Sequence, residues 1–429
     1  MTSSATGFAA IRHPAVRAFL TARLASILGS QIVNVAIGWQ LYERTGSPWS
    51  LGLIGLFELA PALLFMVPAG NLADRFPRRN IAACAVTGSL IASLALMMVS
   101  WFEAPVTLIY FVLMLIGAAR SFAAPSIGTF LPQLIERDLY VNANAWSSAA
   151  FQFSSVAGPA LGGFIIAWTG TATWAYIAAA VAQFSFILLF LRLPVIRPAA
   201  NAAKRKFSDV FAGFAFVRRT PIFLAAITLD MFAVLLGGAV VLLPIFAKDI
   251  LHVGADGLGW LRAAPSIGSL LLMLTMTRLK PFARPGVVLL AAVAGFGLAT
   301  IAFGLSTSFI LSFACLFLTG AFDAVSVVVR LTTEQMLTPD YLRGRVSAIN
   351  YVFIGFSNEF GAFESGSTAA LFGPVASVVG GGVGTLVVVA VVAVAFRQLA
   401  QMGPLNTLKP SDSEILKEEA AEQEVRHSV

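Results

Sequence analysis

The sequence predicts an all-α membrane protein with about twelve spanning helices, arranged as two pseudo-symmetric six-helix bundles. Three observations carry that prediction. Hydrophobic residues make up 58% of the 429 positions, and charged residues only 11%. Apolar runs of about 20 residues, enough to cross about 30 Å of hydrocarbon as helices, recur along the whole chain. Lysine and arginine alternate between rich and poor loops. A soluble domain carries about 25% charged residues, so a water-soluble globule is excluded. An outer-membrane barrel is excluded too, because its strands would read as short alternating runs.

In chain order, the first six spans fall at roughly 18–42, 50–69, 81–101, 106–127, 142–167 and 172–191. The second six fall at roughly 220–246, 257–278, 287–305, 308–331, 345–371 and 375–396. This divides the chain into a first bundle at 1–191, a central loop at 192–219, a second bundle at 220–398 and a tail at 399–429. Arg12 and Arg17 precede the first span. Alternate loops then hold Arg75, Arg78 and Arg79; Arg137; the run from Arg192 to Arg219; Arg278, Lys280 and Arg284; and Arg343 with Arg345. The opposite loops hold only Arg44 and Lys248. Positive charge favours the cytoplasmic side, which puts both termini and the central loop in the cytoplasm of a bacterial inner membrane. The formal net charge of +7 is therefore a mark of topology, and no nucleic-acid partner is expected.

No cleavable signal peptide is expected, because the first span contains Arg23, Gln31 and Asn34. Cys84 and Cys315 fall inside separate spans and read as packing residues. His13, His252 and His427 all lie outside the spans. Neither a metal site nor a histidine-based catalytic centre can be assembled from them. With no Gly-rich Lys-Ser/Thr loop, no cofactor and no ATP drive are expected, and no catalytic constellation points to an enzyme.

A weak internal repeat supports the two halves. Glu58-Leu-Ala-Pro61 in span 2 corresponds to Arg262-Ala-Ala-Pro265 in span 8. A Leu-Gly pair opens each span, and a basic loop follows each. The tail from Ser411 is acidic, with Asp412, Glu414, Glu418, Glu419, Glu422 and Glu424.

The loop after span 2 reads Gly70-Asn-Leu-Ala-Asp74-Arg75-Phe-Pro-Arg78-Arg79. It resembles the signature loop between helices 2 and 3 of the major facilitator superfamily. That resemblance implies a cytoplasmic latch built from Gly70, Asp74, Arg75, Arg78 and Arg79. Arg120 in span 4 resembles the helix-4 arginine of proton-coupled members. Gly158-Pro159-Ala-Leu-Gly162-Gly163 in span 5 resembles the antiporter motif of the exporters. Small residues there let helix backbones approach, and Pro159 kinks the span. Arg343-Gly-Arg345 and Ser357-Asn358-Glu359 through Glu364-Ser-Gly366 are similar to the enterobactin-exporter subgroup, as is Gly46-Ser-Pro48. The resemblance covers most of 14–398 and implies the major facilitator fold and export, siderophore exporters being among the subgroup's members; the expected cargo is a siderophore or an amphipathic drug-like compound.

Charges at membrane depth are functional candidates by default. They are Arg23, Glu58, Arg120, Asp230, Arg262, Asp323, Arg330, Glu334, Glu359 and Glu364. Glu58, Asp230 and Glu359 fall near the middle of their spans, where a carboxyl can bind and release a proton. Salt bridges to Arg23, Arg120 or Arg262 would also place charges there. Asp323 and Arg330 share a helix face, and Arg330 with Glu334 reads as a structural i,i+4 pair. Gln31 and Asn34 share a face of span 1 and are candidates to line a cavity with the aromatics of span 5. The expected function is proton antiport of a small organic molecule by alternating access. A nutrient importer on the same fold and a transport-dead receptor or scaffold are the alternatives.

Overall fold

The computed structural model describes residues 8–196, 214–278, 282–405 and 408. Most of the expected central loop, Lys280 and the acidic tail from Ser411 lie outside the described residues. Twelve long helices carry the described chain, and no strand occurs among the described residues. The first six are α1 (Pro14–Thr45), α2 (Pro48–Arg75), α3 (Arg78–Trp101), α4 (Thr107–Gly128), α5 (Arg137–Thr169) and α6 (Thr173–Leu191). The next six are α7 (Pro221–Leu236), α8 (Gly254–Met276), α9 (Pro285–Leu305), α10 (Phe309–Leu337), α11 (Asp340–Phe372) and α12 (Pro374–Ala395). Among the described residues, eleven segments are long and apolar enough to cross a membrane, α7 being counted with its continuation to Ile250. At 33 residues α11 has the length too, but it carries Arg343, Arg345, Glu359 and Glu364.

Local chemistry explains where these helices begin and end. Pro14, Pro48, Pro221, Pro285 and Pro374 each stand in the first turn of a helix, where the missing N–H leaves no bond unmade. α1 stops at Gly46, which adopts φ +59° and donates its N–H to the Tyr42 carbonyl. α5 stops in the same way at Gly170, with φ +72°. A residue with a Cβ is disfavoured in that conformation. The seventh span does not run on as one helix to 246. It breaks at Gly237–Gly238, continues as a 3₁₀ turn over Ala239–Leu242, and ends in a π turn over Phe246–Ile250.

The described chain forms two compact units. The first takes residues up to 196 together with Val240–Ser266 and Thr307–Phe309. The second takes 214–239, 267–306 and the residues from Ile310 onward. Within the first unit, α1 packs on α5 and α6, α2 on α4, and α3 on α4 and α6. Phe19, Phe130, Phe186 and Phe190 are fully buried together, with the Phe186 and Phe190 rings 4.7 Å apart one helical turn from each other. Two pairs of buried polar side chains satisfy each other, as expected where no water competes. Ser93 donates to Gln183 at 2.9 Å, and Tyr176 donates to Gln40 at 2.8 Å.

Within the second unit, α7 packs on α11 and α12, and α9 on α12. Glycine sets several of these crossings. A Cβ on Gly381 would stand 2.0 Å from the Leu236 carbonyl oxygen, and one on Gly268 would stand 2.0 Å from that of Phe317. Ser269 then donates to the Gly320 carbonyl at 2.7 Å, joining the second half of α8 to α10.

Candidate functional site

In the first unit, charge is concentrated where α4 crosses α2. Gly117 permits that crossing, because a Cβ there would meet the Glu58 carbonyl oxygen at 2.3 Å and the Pro61 ring at 3.0 Å. Arg120, one turn further on, reaches back to Glu58, with Nη1 2.9 Å from Oε2. The Glu58 side chain is 6% exposed and that of Arg120 is 46% exposed. The pair thus has a buried anion and an accessible cation. Arg262 belongs to the part of α8 that joins this unit and lies within electrostatic reach of Glu58. Glu58, Arg120 and Arg262, expected separately as pathway residues, are therefore gathered around one carboxylate.

The glycines of α5 act on two neighbours. A Cβ on Gly158 would lie 2.5 Å from the Gln31 Cβ, and one on Gly162 would lie 3.3 Å from the Ile32 Cα, so α5 seats directly on α1. A Cβ on Gly163 would come within 2.3 Å of the Ala255 carbonyl oxygen and 2.8 Å of the Gly259 Cα. Pro159 is buried at the same crossing, where its carbonyl oxygen faces Gly259. Ser154 donates to the Leu24 carbonyl at 3.2 Å and so fastens α5 to α1. Gln31 and Asn34 do share a face of α1, with the Asn34 amide donating to Gln31 at 3.4 Å. Near the far end of α1, Tyr42 donates to Asp249, and the Lys248 ammonium stands 5.8 Å from the centre of the Tyr42 ring.

The loop between α2 and α3 is a polar clamp. Asp74 and Arg78 form an ion pair at 3.7 Å. Arg78 also donates to the Thr129 carbonyl at 3.1 Å, at the C-terminal cap of α4. Arg79 donates to the carbonyls of Leu191 at 3.2 Å and Leu193 at 2.8 Å, at the end of α6. The last carbonyls of a helix lack intrahelical donors and carry its negative end, so cations belong there. Gly70 is half-buried in the last turns of α2. Arg75 is exposed and makes no hydrogen bond or ion pair among the described residues.

The second unit holds a separate charged cluster. Asp230 on α7 forms an ion pair with Arg330 on α10, their side chains 8% and 4% exposed. Arg330 therefore makes its ion pair across helices, while Glu334, the partner expected from i,i+4 spacing, keeps an electrostatic attraction to it. Glu334 instead accepts from Ser347 at 2.5 Å and from the Asn350 amide at 2.8 Å, both on α11. A second helix supplying those donors outcompetes the local pairing. Asp323 lies on the Arg330 face of α10 and lines a small cavity beside Asp230. Glu359 and Glu364 lie further along α11, half-buried, with Ser365 donating to Glu364 at 3.4 Å. Neither lines that cavity. The cross-helix Asp230–Arg330 pair was not legible in sequence, although the spacing 323, 326, 330 already marks one helix face, and Ser326 also lines the cavity. No group of three or more His, Cys, Asp or Glu could hold a metal among the described residues.

Long apolar helices, close glycine crossings, a basic α2–α3 clamp and charge pairs within the spans define a secondary transporter of the major facilitator class. The chain belongs to the transmembrane secretion effector family of that superfamily, matching it over residues 5–427. It is 30% identical over 403 residues to the enterobactin exporter EntS of Escherichia coli strain SMS-3-5, covering 93% of this chain and 96% of that protein. The EntS of Shigella boydii serotype 18 matches to the same extent. Among solved structures, the POT family transporter PepTSo superposes with a TM-score of 0.72 at 12% identity, covering 90% of this chain and 98% of that one. A bacterial homologue of the lysosomal transporter Spinster gives a TM-score of 0.66 at 14% identity, covering 90% and 96%. These two likenesses concern the fold alone. The protein is thus a multi-pass membrane transporter, not an enzyme, and it exports a small molecule.

Proposed function

We propose that export runs by alternating access and is driven by protons moving inward, with a siderophore or an amphipathic ring-bearing compound as cargo. The observation that carries this reading is the Glu58–Arg120 pair, an almost buried carboxylate against a half-exposed guanidinium at 2.9 Å. A proton on Glu58 neutralises the anion and releases Arg120 from it. An anionic cargo group, such as a deprotonated catechol or carboxylate, would take the same guanidinium by charge-assisted hydrogen bonds. Proton and cargo then compete at one place, which is the condition antiport requires. Similarity to enterobactin exporters supports a catecholate cargo.

Asp230, Asp323, Glu359 and Glu364 extend the proton pathway, while Arg262, Gln31 and Asn34 serve the cargo. Gly70, Asp74, Arg75, Arg78 and Arg79 form the cytoplasmic latch, and Gly158, Pro159, Gly162 and Gly163 form the exporter's helix crossing. The two bundles fall at 1–191 and 220–398, joined by the central loop. The membrane is the bacterial inner membrane with both termini cytoplasmic, an orientation the loop charges support. Intact cells carrying the wild-type chain and preloaded with labelled enterobactin should lose label faster than cells carrying Glu58→Gln with Arg120→Ala. A protonophore should remove the difference. Accumulation of label by the wild-type cells would favour the importer reading instead.

A further inference from the structure

One face of α10 carries Asp323, Ser326 and Arg330, spaced by three and four residues so that they stack along the helix. Asp323 stands at the midpoint of Phe309–Leu337 and is half-buried. Beside it is a cavity of about 10 Å³, the room a single water needs. Its polar wall is Asp230, Asp323 and Ser326, and its apolar wall includes Val293, Phe296 and Phe322. Ser326 is 3% exposed, and its hydroxyl has no hydrogen-bond partner; the Arg330 Nε is also unpartnered. Ser126, Ser155 and Thr338 share that condition, but of the four hydroxyls only that of Ser326 belongs to the cavity wall, where a water would satisfy it.

Charge balance points to the same place. Three carboxylates share this neighbourhood with one guanidinium. Asp230 holds Arg330, and Glu334 is served by Ser347, Asn350 and the electrostatic pull of Arg330. Asp323 has no ion pair or hydrogen bond among the described residues. No other titratable side chain lines the cavity. α9, α12 and the part of α8 in this unit have no charged residue, and the Glu359 and Glu364 of α11 lie off the cavity wall. A lone carboxylate at that depth is expensive unless it takes up a cation.

Resting on the antiport reading above, we propose that Asp323, assisted by Ser326 and one water in the cavity, takes up and releases a coupling proton in the second unit, beside the one that competes with cargo at Glu58. Arg330 holds Asp230 in an ion pair beside it. When Asp323 is ionised, the Ser326 hydroxyl donates toward it through the water. When Asp323 is protonated, its O–H donates the other way, because a hydroxyl does both. The chemistry is one O–H bond formed on the carboxylate from a hydronium ion and later broken to water, with no other reactant.

The test is a pH titration of the purified full chain by infrared difference spectroscopy of the protonated-carboxyl C=O band, beside flux driven by an imposed pH gradient in proteoliposomes. Wild type should show a carboxyl band that titrates. Asp323→Asn should lose one titrating component of that band together with gradient-driven flux of enterobactin. Asp323→Glu should restore that component, and Ser326→Ala should shift its frequency while leaving the chain folded. An unchanged band in Asp323→Asn, or flux as strongly driven as in wild type, overturns the assignment and leaves proton antiport standing. Wild-type flux that ignores the pH gradient removes antiport itself, whatever the spectrum contains. Flux that instead follows a sodium gradient at fixed pH, and is lost in Asp323→Asn, overturns the proton in favour of a metal cation.

Discussion

Removing one partner of the Asp230–Arg330 pair strips the other of its counter-charge inside the second unit. The two side chains are 8% and 4% exposed, so neither can turn to water when its partner is lost. Breaking a buried ion pair from one side costs about 3–5 kcal/mol, most of it the penalty of the unpaired charge. Asp230→Asn should fall at the low end of that range, because Arg330 retains the attraction of Glu334. Arg330→Met should fall at the high end, because it leaves Asp230 bare and weakens the setting of Glu334 as well. The double variant should cost less than the sum of the singles by about 0.5–3 kcal/mol, the coupling expected of residues in direct contact. Cys315 is a suitable reporter, being 5% exposed and carried on α10 itself. With Cys84→Ser as background, the midpoint for thermal labelling of Cys315 by a thiol-reactive fluorophore in detergent reads each loss. Strictly additive losses, or an Asp230→Asn protein as stable as its parent, would refute the reasoning.

Three further outcomes follow from the same contacts. Arg120→Ala should lower stability by about 1 kcal/mol or less, since its side chain is 46% exposed, yet it should abolish export; flux and the labelling midpoint measured together separate the two effects. Gly163→Val should cost about 1–3 kcal/mol and stop transport, because its Cβ would stand 2.3 Å from a backbone oxygen, while Gly380→Ala, with nothing within 4 Å, should match wild type in both assays. Arg79→Ala should destabilise the first unit by about 1–3 kcal/mol by unpairing the carbonyls that end α6, whereas Arg75→Ala should leave the midpoint unmoved.

The spans were legible because a helix must be about 20 apolar residues long to cross the hydrocarbon, and that length survives in the sequence as a run. The interruption after α7 was not legible. Gly237 and Gly238 mark a possible break, but where the freed backbone groups pair again depends on which helices lie alongside. The charged residues divided along the same line. Glu58 and Arg120 were both visible as membrane-depth charges, and their pairing needed only the crossing allowed by Gly117. Asp230 was visible too, but its partner stands on α10, a hundred positions later, and was assigned to Glu334 by local spacing. An i,i+4 rule describes an isolated helix surface; in a packed bundle a neighbour's carboxylate can sit closer than the residue one turn away. The α2–α3 loop was recognisable as a motif, while its bonds to the ends of α4 and α6 required the tertiary fold.

The most direct test of the account is enterobactin flux by the purified wild-type chain in proteoliposomes under an imposed pH gradient, with and without a protonophore. Cargo should move opposite to the proton gradient, reverse when the gradient is reversed, and stop when the gradient is collapsed. Binding of the same probe with no net movement under either gradient would contradict proton-driven export and favour a receptor built on a transporter fold.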